Sequence, residues 1–192
     1  ATWEHPLITM LMDEVQMFES GRLTSSTLPI AALPEGTVLV ESMFVIEASA
    51  HPRLKLSQSL PITPMWQLSD ANGKFLHKQF TPEKWAEKLK GVPNRVAEQW
   101  VAALRKDLLT VLQAHQLNAQ DQARPIIQAA KQDYKHKWQG EIDRLSELQQ
   151  QNSAILSAEV ARLKGNMEEG LKRIDEYSIR LDAIRVILTT KP

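Results

Sequence analysis

Near the start of the chain Leu7, Ile8, Leu11, Met12, Val15 and Phe18 recur at helical spacing, with Pro6 in the first turn and Gly21 placed to stop the run. The pattern predicts an N-terminal helix. Residues 23–34 are rich in Ser, Thr and Pro and read as a loop. The period then changes: Thr37 to Ala48 is dense in β-branched and aromatic residues, with Glu41 and Glu47 on one face, and predicts the best strand of the chain. Leu54-Lys55-Leu56-Ser57 alternates as a half-buried second strand would. Trp66 and Leu68, the turn Asp70-Ala71-Asn72-Gly73 and then Phe75-Leu76-His77 predict a hairpin, because Asn and Gly tolerate the positive φ of a tight turn. Pro61 and Pro64 place an edge or a bend before it.

Helical spacing returns at Thr81, which can cap a helix with Pro82 in its first position, while Lys84 stands where a capping box wants Glu or Gln. Gly91 and Pro93 end that short helix, and Asn94 can cap the next, whose stripe is Ala97, Trp100, Val101, Leu104, Leu108, Val111 and Leu112. From Gln122 a stripe resumes as Ile126, Ala130, Tyr134, Trp138, Ile142, Leu145 and Leu148. Gln149 to Ser153 interrupt it, and Leu156, Val160, Leu163, Met167, Leu171 and Ile174 form another. Two stripes with a short polar break predict a helical hairpin packed face to face, like a short antiparallel coiled coil.

The end of the chain alternates again, Ile184, Val186 and Leu188 against Arg185, Ile187 and Thr189, which predicts a closing strand. A lone strand needs a partner, and 37–48 is the nearest candidate. The expected fold class is α+β: a small, mostly antiparallel sheet with an N-terminal helix and a long helical hairpin, closing on a C-terminal strand. In residue ranges this is a layer of helix and strands over 1–81, a helical region over 82–177, and a terminal strand over 178–192 returning to the sheet, together one structural domain.

Composition narrows the function. Lys plus Arg and Asp plus Glu each number 23, so the 192-residue chain carries no formal net charge and lacks the basic footprint of a dedicated nucleic-acid domain. The hairpin region 123–177 is balanced as well, with nine basic and nine acidic side chains. There is no cysteine, which excludes disulfides, thiol nucleophiles and cysteine-ligated metals and suits a reducing cytoplasm. No run approaches the roughly 20 apolar residues of a membrane span. The opening Ala1-Thr2-Trp3-Glu4-His5-Pro6 has neither an initiator Met nor a signal-peptide layout and reads as a piece of something larger.

No catalytic, cofactor-binding or metal-binding residue stands out. The sole Gly-Lys pair, Gly73-Lys74, lies in the expected hairpin and not before a helix, so it makes no phosphate cradle. The five histidines, 5, 51, 77, 115 and 136, lie far apart and read as surface or structural. Ser57 and Ser59 lack the glycine setting of a nucleophile elbow. Lys131, Lys135, His136 and Lys137 form the one local basic cluster, with Tyr134 and Trp138 interleaved. Such a cluster can grip a phosphate backbone while its aromatics stack on bases. Helical spacing, however, puts both aromatics on the Ile126/Ala130 stripe, which favours a solvated helix face with the aromatics buried in the hairpin seam. Trp85 and Trp100 could anchor a partner, but their apolar neighbours favour core packing.

Four stretches carry a resemblance: Trp3-Glu4-His5-Pro6-Leu7, Leu33 to Glu41 (LPEGTVLVE), Leu60-Pro61-Ile62-Thr63-Pro64 and Arg180 to Ile187 (RLDAIRVI). In this order they resemble the C-terminal part of the RapA (HepA) family. They identify by being several and collinear, since none is a catalytic signature. The resemblance implies a cytoplasmic ATPase of the SWI/SNF type that binds RNA polymerase and promotes its recycling. It also implies that ATP and magnesium belong to lobes upstream of this chain, which would itself be a non-catalytic accessory domain. The implied partners are the RNA polymerase core and the protein's own ATPase lobes, with weak or no direct contact to nucleic acid. The competing expectation is a nucleic-acid-contacting module built on the 131–138 cluster.

Overall fold

Five strands pair into one sheet in the structure, a computed structural model that describes residues 23–76, 80–151 and 157–192. The expected N-terminal helix lies outside the described residues, as do His77, the turn of the helical hairpin over 152–156 and with it Leu156. The strands are β1 (Leu23–Pro29), β2 (Val38–Glu47), β3 (Thr63–Asp70), β4 (Lys90–Gly91) and β5 (Ser178–Thr190), in the order β3-β2-β5-β1-β4. Helices are α1 (Pro82–Trp85), α2 (Asn94–Gln151) and α3 (Ser157–Asp175). The α+β class and the closing strand beside β2 are therefore as the sequence predicts.

The described residues fall into two compact units. One comprises the described part of Ala1–Phe44 with Met65–Ala119 and Leu181–Pro192; the other comprises Val45–Pro64 and Gln120–Arg180. Strands β2, β3 and β5 and helix α2 contribute residues to both.

In the first unit the sheet is antiparallel except at β1–β5, which run parallel from Leu23 opposite Ile184 to Pro29 opposite Thr190. The β5–β2 pairing is antiparallel, since Thr37 bonds Thr189 and Glu41 pairs with Arg185. Both faces are apolar. Val40, Ile184 and Val186 pack with Val101, Leu108, Val111 and Leu112 of α2, whereas their chain neighbours Leu39 and Ile187 pack with Leu28, Leu68, Leu76 and Trp85. Burial on alternate faces explains why β2 reads as a near-continuous hydrophobic run. Trp85 is a core residue, packed edge-on to Trp66 and stacked with Phe80, while Trp100 is half-buried.

Two sequence expectations fail here for physical reasons. Residues 23–29 form strand β1 and not a loop, because Ser25 and Ser26 are buried between neighbouring strands and disguise the strand as polar. The hairpin turn holds, but only Gly73 takes positive φ, at 80°. Gly73 N–H bonds the Asp70 carbonyl, and the Asp70 carboxylate accepts from the backbone of Asn72 and Lys74, so the side chain closes the turn that Asn-Gly was expected to close.

In the second unit Leu54–Ser57 is not a strand. Two 3₁₀ turns, Pro52–Leu54 and Leu56–Gln58, meet at Lys55, whose left-handed backbone (φ 51°, ψ 33°) turns both Leu54 and Leu56 inward. The hairpin is present, and α3 runs antiparallel to α2: Lys131 bonds Asp175, and Tyr134 lies against the Asn166 carbonyl. Helix α2 is continuous where its apolar stripe breaks. It passes Pro125, whose missing N–H removes the bond to the carbonyl of Asp121. The buried face of the second unit runs Ala123, Ile127, Ala130, Tyr134 and Ile142 against Val160, Asn166, Gly170 and Ile174. Ile127, not Ile126, is the buried isoleucine, and Leu148 is exposed.

Candidate functional site

The basic cluster of α2 does not form one patch. Lys131 is held by both oxygens of Asp175, at 2.7 and 2.9 Å. Lys137 bonds the Asp133 carboxylate at 2.6 Å and the Gln58 carbonyl at 2.8 Å. Lys135 and His136 point into solvent. Among the interleaved aromatics Tyr134 is buried in the seam, as its stripe position requires, while Trp138 is only half-buried.

Tyr134 fixes this part of the hairpin. Its hydroxyl donates to the Leu54 carbonyl at 2.8 Å, and burial pushes the phenol up to about 12. Its ring lies where a Cβ on Gly170 would fall, so glycine is the only residue α3 can present there without displacing it.

Beside this seam an open cleft of about 420 Å³ gathers cations from three separate segments. Arg53 and Lys55 come from the 3₁₀ turns, Lys137 and Trp138 from α2, and Arg162 from α3. The carboxylates nearby are committed. Glu169 holds Arg53 at 2.6 Å, and Asp133 holds Lys137. Glu141, also in the cleft, receives a two-pronged Arg144 guanidinium at 2.6 and 3.0 Å. Hydrogen bonding from Lys137 holds the Asp133 carboxyl below its usual range, and Arg144 does the same for Glu141. Among the described residues Lys55 and Arg162 close no ion pair; the Lys55 charge reaches Glu141 only at longer range, and that carboxylate is already held by Arg144. Lys55 also occupies a left-handed backbone region that costs a non-glycine residue about 1–2 kcal/mol.

Sequence reasoning missed Arg53, Lys55 and Arg162, because the fold alone brings residues so far apart in the chain to one cleft. The one local signal was a lysine between two core leucines.

The first unit holds a different polar group. His115 is wholly buried, with Ser42 Oγ 2.7 Å from Nδ1 and Ser69 Oγ 2.9 Å from Nε2, and Phe75 stacked on the ring. Ser69 donates its own proton to the Asp70 carbonyl, so it accepts from Nε2–H, and Nδ1 accepts from Ser42. A serine hydroxyl bonded to a histidine is the beginning of a nucleophile–base pair. Here Ser42, Ser69 and His115 are all sealed from solvent, and no substrate can reach them. The group is structural. So is Glu41 on the other face of the sheet, which takes the Trp66 indole N–H at 2.6 Å and Arg185 at 3.0 Å.

Comparison with known proteins places this arrangement. Residues 1–189 match the family model described as RNA polymerase recycling family C-terminal. The chain is 35% identical over 189 residues to the RNA polymerase-associated protein RapA of Cronobacter sakazakii (strain ATCC BAA-894). That alignment covers 98% of this chain and 20% of the relative, so the chain spans about a fifth of that protein's length. With a family match over nearly the whole chain, this chain belongs to the C-terminal family of RNA polymerase recycling proteins.

Proposed function

We propose that this chain is the non-catalytic C-terminal accessory domain of a RapA-like, SWI/SNF-type ATPase that associates with RNA polymerase and promotes its recycling. The observation that carries this reading is the family match over residues 1–189 within a relative five times longer. On this reading ATP and magnesium are bound by the lobes upstream, and the domain's partners are the RNA polymerase core and those lobes. A bacterial protein with this partner works in the cytoplasm, and among the described residues no helix is long and apolar enough to cross a membrane. Zero net charge gives the domain little long-range attraction to a polyanion, so nucleic acid is at most a weak, local ligand.

The test is binding of the purified 192-residue chain to core RNA polymerase, with ATP turnover measured on the same sample. The expected result is a complex whose affinity falls only gently with salt, and no hydrolysis of ATP. Failure to bind either core polymerase or the ATPase lobes would remove the reading, as would ATP turnover that survives a tagged-control purification.

A further inference from the structure

We infer that the cleft between the 3₁₀ turns, α2 and α3 is a binding site for one or two nucleotide units of single-stranded nucleic acid, with phosphate between Lys55 and Arg162 and a base against Trp138. This deepens the accessory-domain reading by giving it a local contact to the nucleic acid of the transcription complex, although the cleft and its chemistry stand without that reading.

Three independent features converge. The first is charge: Arg53, Lys55, Lys137 and Arg162 line one cleft, and after each nearby carboxylate has taken its partner Lys55 and Arg162 remain. The second is shape, since about 420 Å³ lies within the roughly 300–1,000 Å³ of small-ligand sites. Trp138 supplies one half-buried aromatic wall, on which a base of any identity can stack. The third is backbone. Lys55 keeps a left-handed conformation that glycine or asparagine would hold with less strain, and its exposed side chain adds nothing to the burial of Leu54 and Leu56. A lysine held there at a cost is explained by what its ammonium does in the cleft.

A phosphodiester suits this geometry better than a carboxylate. Its oxygens spread over a wide angle and can be shared by two cations from different segments, whereas a carboxylate is best matched by the fork of a single arginine. Arg53 and Arg144 are already bonded to Glu169 and Glu141, which leaves Lys55 and Arg162, on two different segments, to share one anion.

Fluorescence anisotropy of a short labelled oligothymidylate with the 192-residue chain tests the site. Saturable binding is expected, with a logarithmic salt slope near −1.4, the value for about two phosphates on a single strand. Lys55→Gly and Arg162→Gln should each weaken it about tenfold, and Trp138→Leu by a similar factor. Trp138 also touches Tyr134, so loss of binding in its variant counts only where the fold is kept; Lys55→Gly relieves the backbone and keeps the test sharp, its melting temperature expected at or above that of the parent chain. An affinity unchanged in a folded Lys55→Gly/Arg162→Gln chain would overturn the site, as would absence of binding at low salt. Equal competition by polyglutamate would overturn it in favour of an acidic peptide, and equal competition by thymidine monophosphate in favour of a free nucleotide.

Discussion

The two halves of helix α2 bury themselves in different ways. Residues up to Ala119 meet a sheet with large apolar side chains, Val101, Leu108, Val111 and Leu112; of the polar residues on that face His115 is sealed and bonded at both ring nitrogens, and Asn118 donates to Gln67 of β3. Beyond Gln120 the buried face mixes Ile127 and Ile142 with small residues and one phenol, Ala123, Ala130 and Tyr134, and around the phenol it meets Asn166 and Gly170 of α3. In the first half polarity is turned into the sheet and hydrogen-bonded to it, with only the Gln67 amide nitrogen left over, so it contributes specificity to the core and offers nothing to a ligand. In the second half close helix approach leaves long charged side chains around an open cleft, and two of them, Lys55 and Arg162, close no ion pair among the described residues. Paired, enclosed polarity marks structure, whereas exposed, unmatched charge beside an aromatic marks a site.

The largest effect expected from breaking this contrast is at Gly170. A methyl group there falls on the Tyr134 ring, which cannot retreat without losing its bond to the Leu54 carbonyl. Gly170→Ala should cost roughly 2–4 kcal/mol in denaturant unfolding. The same change at Gly140 or Gly165, where nothing lies within 4 Å, should instead stabilise its helix by about 0.5–1 kcal/mol. If all three behaved alike, the tight seam would be wrong.

A middling effect is expected at the phenol itself. Tyr134→Phe keeps the ring but leaves the Leu54 carbonyl without its donor, a loss of about 1–2 kcal/mol at neutral pH. The folded phenol titrates at about 12 and the unfolded one at 10.0, so the folded state holds its proton longer. This contribution is complete below pH 10.0 and is lost as pH rises towards about 12. Unfolding curves across that window should therefore converge for the parent chain and Tyr134→Phe, whereas a constant gap would mean the phenol is not buried.

The class of the fold, β2, the closing strand and the hairpin were legible because large apolar residues keep a clear period there. The signal failed where burial falls on small or polar residues. Ser25 and Ser26 hid β1, and His115, Ala119 and Ala123 hid the continuity of α2 between its two stripes. Lys55 between Leu54 and Leu56 mimicked a strand, because a left-handed kink and a pleat both send alternate residues inward. Of the cleft, only Lys137 and Trp138 stood out in sequence. The cations that complete it come from segments whose approach depends on the tertiary fold.

The smallest effect sharpens the comparison most, because it separates the basic run of the sequence from the cleft of the structure. Lys135 is the centre of the run Lys131–Lys137, yet its side chain is exposed, makes no ion pair among the described residues and does not line the cleft. Reversing it to Glu should change stability by less than about 0.5 kcal/mol, as for an ordinary surface site. Long-range repulsion between this one charge and a bound phosphate is screened beyond about 10 Å at moderate salt, so oligothymidylate affinity should fall less than about twofold. Lys137→Glu, two residues on, removes a cation from the cleft wall and sets a carboxylate beside Asp133 and the Gln58 carbonyl. It should weaken the same complex by at least about tenfold. Equal losses at both positions would mean that the linear run of charge, and not the folded cleft, attracts the strand.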